Sequence, residues 1–211
     1  MKKVICVAVI LAAGFATLSA QTGVIVGVKQ GLGMSFSRLT QDAEDTLKSI
    51  FPRVDQESQL GLTLGAYGGY GINGRLAILT GLDFYTQGID LDFLDYHGSI
   101  FYISADIPVL LRVTLLQRRV FFGFQTGAHV SFPLYAELEI KNITEDFDAE
   151  GVTVGVLGGL FLGVSLGRGR IVGDLRFLFD TIPLKDTDEE KILYRRGLVF
   201  TVGYEYSFGS S

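Results

Sequence analysis

His129 and Ser131 stand two apart in Gly127-Ala-His-Val-Ser131, a spacing that places an imidazole and a hydroxyl on one face of an extended chain. A serine nucleophile needs such a base beside it and a carboxylate behind the base, and Glu137 or Glu139 could supply that acid. The chemistry would be hydrolysis or acyl transfer. Two acidic stretches, Asp90, Asp92 and Asp95 in one and Asp186, Asp188 and Glu190 in the other, offer carboxylates to a hard cation such as calcium. Neither has the length or the glycine of an EF-hand loop. A third set is scattered along the chain: Lys29, Asp83, Asp106, Arg112, Arg119, Gln125, Asp174, Arg176, Asp180 and Glu205. No phosphate-cradling glycine loop or thiolate cluster accompanies them, so no cofactor and no metal centre is expected. The net charge of −5 argues against nucleic acid as a partner.

What must position these residues is a period-two pattern that recurs eight times. In the first segment Val24, Val26, Val28, Leu32, Met34 and Phe36 share one face, and Gly27, Lys29, Gly31, Gly33, Ser35 and Ser37 share the other. Gln30 falls on the oily face, and a bulge near Gly31 is expected to turn it away. Segments 59–72, 75–87, 99–114, 119–134, 151–166, 171–182 and 197–208 alternate in the same way. In each, the charged residues and many glycines lie opposite the large apolar side chains. A soluble barrel would reverse this arrangement, with charges outside and apolar groups within. The pattern predicts an all-β chain, an eight-stranded antiparallel up-and-down transmembrane β-barrel, apolar toward lipid and polar toward its lumen. Closure is required because lipid cannot satisfy the backbone of an open strand edge.

Between the segments, gaps alternate long and short. The long gaps hold 18 of the 23 acidic residues against 8 basic ones, while Arg75, Arg118, Arg119, Arg168 and Arg170 mark the short turns. Long loops outside and short turns in the periplasm give the barrel its direction, with both termini periplasmic. Asn73-Gly74 is a two-residue hairpin turn. In the first long gap Leu39, Leu47, Ile50, Phe51 and Val54 suit a short helix capped by Thr40.

Composition agrees with this architecture. The chain has 211 residues, 48% hydrophobic and 19% charged, with 27 glycines and 4 prolines, which excludes disorder and collagen. Lys2 and Lys3, the apolar run Val4–Ala16 and Leu18-Ser-Ala20 form a secretory signal, with residues 1–20 cleaved and 21–211 forming the barrel domain. The run of about 13 apolar residues is short of the about 20 a spanning helix needs. Cys6, the single cysteine, lies in that leader without a lipobox leucine three residues before it, so the mature chain has no disulfide or thiolate site.

Several segments carry a resemblance: Gly27-Val-Lys29-Gln-Gly31-Leu, Ile107-Pro108-Val109-Leu-Leu-Arg112, Phe122-Gly123-Phe-Gln-Thr-Gly127 and the closing Gly203-Tyr-Glu-Tyr-Ser-Phe208. With these the chain resembles the small outer-membrane β-barrel family, the PorT-like and OmpA-like transmembrane domains of Bacteroidetes and spirochaetes. Thr201–Phe208 also resembles the insertion signal read by barrel-assembly machinery. The resemblance implies a bacterial outer-membrane location, with outer-membrane lipid and the assembly machinery as partners, and the acidic loops offer a surface to an extracellular or periplasmic protein partner. It implies no particular activity.

Three functions follow from the lumen. Pairing Lys29, Asp83, Asp106, Arg112, Arg119, Asp174, Arg176, Asp180 and Glu205 into a plugging network predicts a structural or surface-interaction protein, since charges withdrawn from water must be paired. Inward glycines leaving room would instead make a narrow channel for small or hydrophobic solutes. The His129-x-Ser131 pair resembles that of outer-membrane lipid A deacylases, but its lumen-side position favours a hydrogen-bonding role, and the expectation is that the protein is not an enzyme.

Overall fold

The computed structural model describes residues 23–36, 38–39, 54–73, 75–93, 96–140, 143–146, 151–167, 169–182, 184–185 and 191–208. The leader 1–20 with Cys6, and residues 40–53, lie outside them. Eight strands form the wall: β1 (Val24–Ser35), β2 (Leu60–Gly71), β3 (Leu76–Phe93), β4 (Tyr96–Gln117), β5 (Val120–Ile140), β6 (Thr153–Leu166), β7 (Gly169–Asp180) and β8 (Arg196–Phe208). Each pairs antiparallel with its neighbours in the chain, and β8 pairs with β1 from Val24↔Phe208 to Ser35↔Gly197, which closes an eight-stranded barrel. No described residue is helical.

The alternation is obeyed. Leu60, Leu62 and Leu64 are 69%, 64% and 62% exposed, while Thr63 between them is buried. Leu160 and Leu162 show the same on the opposite wall, flanking buried Phe161. Gln30 is the departure from expectation. The β1 ladders run without a register shift, and Gln30 stays on the outer face between Leu64 and Val202. A bulge would have shifted every side chain beyond it to the wrong face, which costs more than one exposed amide.

Strands β1, β2 and β7 have 12 residues and β8 has 13, lengths that cross a bilayer at a tilt. Strands β3, β4 and β5 are longer, so the expected loop 88–98 is a continuing hairpin. It is joined by Val54–Ser58 on β3 and Ile143–Asp146 on β5. In this extension Glu57, Asp90, Ser99, Glu139 and Thr144 form one register row, and Gln56, Leu91, Gly98, Ile140 and Ile143 the next. The backbone ladder of the wall thus continues through the described residues of this extension. Leu39 pairs with Leu193 and Val54 with Phe93, so both ends of the expected loop helix are strand.

Two strand features need explanation. The β3–β4 ladder skips Gly81 with Pro108 and Leu82 with Ile107, where proline offers no N–H, and resumes at Asp83↔Asp106. Asn73 closes the β2–β3 turn, its side-chain oxygen accepting from the N–H groups of Arg75 and Leu76, each at 2.8 Å.

Several inward glycines leave no room. A Cβ on Gly31 would lie 1.9 Å from the Phe200 carbonyl oxygen, one on Gly127 1.9 Å from that of Val109, and one on Gly159 2.0 Å from that of Leu175. At these three positions the space for an inward methyl is already held by the neighbouring strand, which corrects the channel argument there. Gly158, next in sequence but facing outward, meets nothing nearer than 3.8 Å. Gly159→Ala should therefore lower stability by about 1–3 kcal/mol through overpacking, while Gly158→Ala changes it little. Urea titration of the folded barrel, read by gel mobility, measures both.

Candidate functional site

The lumen is a mixed core. Ile25, Leu79, Leu110, Leu157, Leu178, Val199 and Tyr85 pack as one apolar cluster, and Phe121, Phe161 and Val172 as another. Among them sits a network of buried charge. Lys29 is 4% exposed, Arg112 5%, Arg176 3%, and Asp83 and Glu205 are both 0%.

Toward the short turns, Glu205 accepts from Arg112 at 2.6 Å and from the Tyr67 hydroxyl at 3.1 Å, with Arg170 at 3.5 Å. The Arg112 guanidinium lies 4.8 Å from the Phe161 ring centroid. At mid-height Asp83 takes Lys29 at 2.6 Å, the Tyr85 hydroxyl at 3.2 Å and Arg176 at 3.3 Å. Arg176 grips Asp174 in a two-point contact at 2.6 and 3.1 Å, and Thr201 donates to the same carboxylate at 2.8 Å. Toward the long connections, Arg195 forks onto Asp106 at 2.7 and 3.0 Å and reaches Asp180 at 3.2 Å. Ser131 donates to Asp106 at 2.5 Å, His129 Nε2 lies 2.7 Å from Asp180, and Thr153 donates to Asp180 at 3.0 Å. The Tyr102 hydroxyl donates to Gln87.

Glycines make these reaches possible. Lys29 on β1 and Asp83 on β3 meet across β2 at Gly65, where an added Cβ would lie 2.1 Å from the Asp83 carboxylate. Tyr67 crosses β1 over Gly27 to reach Glu205 on β8. His129 on β5 crosses β6 over Gly155 to reach Asp180 on β7. In each case a side chain spans two strands because the strand between presents none.

Of the network residues expected from sequence, Lys29, Asp83, Asp106, Arg112, Asp174, Arg176, Asp180 and Glu205 are brought together. Arg119 is not: it sits exposed in the β4–β5 turn, before β5 begins at Val120, where alternation no longer governs direction. Arg195 was missed, although it continues the inward phase of Gly197, Val199 and Thr201 one step beyond β8. Gln125 is buried at 1%, and neither atom of its amide finds a partner.

His129 and Ser131 do not form a nucleophile and base. Each turns to a different carboxylate, and both are 3% exposed or less inside the lumen. Glu137 accepts from Tyr135 instead. Asp95, Asp186, Asp188 and Glu190 lie outside the described residues. Two small cavities touch the network, one of about 20 Å³ beside Arg195 and Asp180 and one of about 10 Å³ beside Lys29 and Arg112. Each has room for about one water.

Arg195→Ala leaves Asp106 and Asp180 short of their shared cation and should cost about 3–5 kcal/mol, the scale for one partner removed from a buried pair. Arg119→Ala should change stability by less than about 0.5 kcal/mol. Parallel unfolding curves of the two variants check the assignment.

No family model matches the chain, and no curated protein matches it. Among solved structures it is similar to the outer membrane protein OprG from Pseudomonas aeruginosa, with TM-score 0.58 and 8% identity over 90% of this chain and 98% of that one. It also matches Neisserial surface protein A, with TM-score 0.48 and 14% identity over 88% and 97% of the two chains. The likeness to OprG is one of fold, a barrel architecture found in the bacterial outer membrane.

Proposed function

We propose that this chain is an integral outer-membrane protein whose lumen is closed by its ionic network, and that its role is structural or one of surface interaction carried by its acidic outer end. The observation behind this reading is the inverted barrel, with leucines and phenylalanines exposed around the wall and charges buried inside it. In water that arrangement would expose a continuous apolar belt, whereas in a bilayer the belt is solvated. The fold likeness to OprG supports the location. Outward Tyr204 and Phe208 near the short turns, and Phe36, Phe84, Phe101 and Phe200 near the long connections, suit two interfacial girdles.

Strands β1 and β8 begin and end at the short-turn edge, which puts both termini in the periplasm in this reading. Its partners are outer-membrane lipid, the barrel-assembly machinery reading Thr201–Phe208, and a protein meeting one end of the barrel. A PorT-like or OmpA-like affiliation rests on the quoted sequence segments. The closed reading is favoured over a solute channel because buried ion pairs and apolar side chains fill the described lumen. It is favoured over a lipid hydrolase because Ser131 is bonded to Asp106 and turned away from the bilayer.

Expressed at full length in a bacterium with two membranes, the protein should fractionate with the outer membrane and migrate differently on gels before and after heating. A Val152→Cys variant should take an impermeant thiol reagent on intact cells, and Arg118→Cys only after the outer membrane is opened. Recovery in the inner membrane or cytoplasm, or the opposite labelling pattern, would sink the proposal.

A further inference from the structure

We propose that Arg196 is a binding site for the phosphate of an anionic lipid headgroup in the outer leaflet. The inference rests on the membrane reading above. Arg196 falls on the outer wall of β8, in phase with Leu198 and Phe200, whereas Lys29, Arg112 and Arg176 on the wall strands are buried in the lumen. It stands in the outward row at the long-connection edge, opposite Phe179 on β7, and its carbonyl accepts from the Phe36 N–H at 2.7 Å. Aromatic residues therefore flank it on both sides. Its guanidinium lies over the Phe179 ring at 4.7 Å, and its Nε is buried with no hydrogen-bond partner. Among the described residues no carboxylate pairs with it, in contrast to Arg112, Arg176 and Arg195.

A guanidinium on the lipid-facing wall is costly unless it reaches the interface and finds an anion there. The Phe179 ring carries its apolar plane, and the planar fork left over matches two phosphate oxygens. The source is a lipid rather than a dissolved anion for an electrostatic reason. The connections at this end carry 18 acidic residues against 8 basic ones, a field that repels free phosphate. A headgroup already anchored in the bilayer reaches the same height without crossing that field.

The test uses the full-length protein purified from membranes and reconstituted in phosphatidylcholine discs containing a minor fraction of phosphatidylglycerol. Native mass spectrometry counts the phosphatidylglycerol that stays bound. Wild type should retain it, Arg196→Gln should retain about ten-fold less, and Arg196→Lys should fall between, keeping charge without the fork. Added inorganic phosphate should not displace the lipid. Equal retention by wild type and Arg196→Gln in folded, inserted samples overturns the site. Displacement by inorganic phosphate overturns the lipid assignment in favour of a free anion. A wild-type protein that enters no bilayer removes the membrane reading and this inference with it.

Discussion

Closing a sheet of only eight strands leaves an interior so tight that inward side chains compete with neighbouring backbone for space. That constraint governs the rest of the structure. Where the ring presses hardest the inward residue is glycine, as at Gly31, Gly127 and Gly159, because any Cβ would lie against a carbonyl oxygen of the next strand. Where a long polar side chain does point inward, it needs somewhere to lie, and it lies across a glycine of the adjacent strand. Lys29 over Gly65, Tyr67 over Gly27 and His129 over Gly155 are three instances of one solution. The glycines are thus both the condition for curvature and the bed for the network.

The network follows from what surrounds it. With the outer wall apolar, the inside is the place for charge, and charge withdrawn from water there must be paired. Each buried carboxylate therefore receives a cation or several donors. Asp174 has a two-point arginine contact and a hydroxyl, and Asp106 has Arg195 and Ser131. A hydrophobic filling of the same volume could be as stable, so the ion pairs alone do not account for stability. They tie β1 to β3 and β4 to β8, and the His129–Asp180 hydrogen bond ties β5 to β7, linking strands that are not neighbours in the wall. The lumen is braced by these cross-links.

Much of this was legible in the sequence because lipid imposes a strict rule on a strand: apolar at every second residue, with no exception cheap enough to be common. All eight strands were visible for that reason. The failures lie where the rule lapses. Toward the far ends of β3, β4 and β5 the apolar alternation of the sequence gives way to acidic residues, so Asp90 and Glu139 looked like loop although the ladder continues through them. Arg119 and Arg195 are paired errors of one kind. Alternation was carried one residue too far into a turn for the first, and stopped two residues too soon for the second. The glycines were visible as inward residues, but whether a missing side chain makes a gap or answers a close approach depends on the curvature of the sheet. Spacing cannot convey that. The pairing of the network was likewise hidden, since Glu205 meets Arg112 from 93 residues away through closure of the barrel.

The central claim is that the lumen is closed, and single-channel recording in a planar bilayer addresses it most directly, on protein shown by heat-dependent mobility to be folded. A closed wild-type barrel should show no stable conductance steps across a range of voltages. Stable steps whose size changes when Asp106 or Arg112 is neutralised would contradict it, because they would make the charged interior a path for ions instead of a brace.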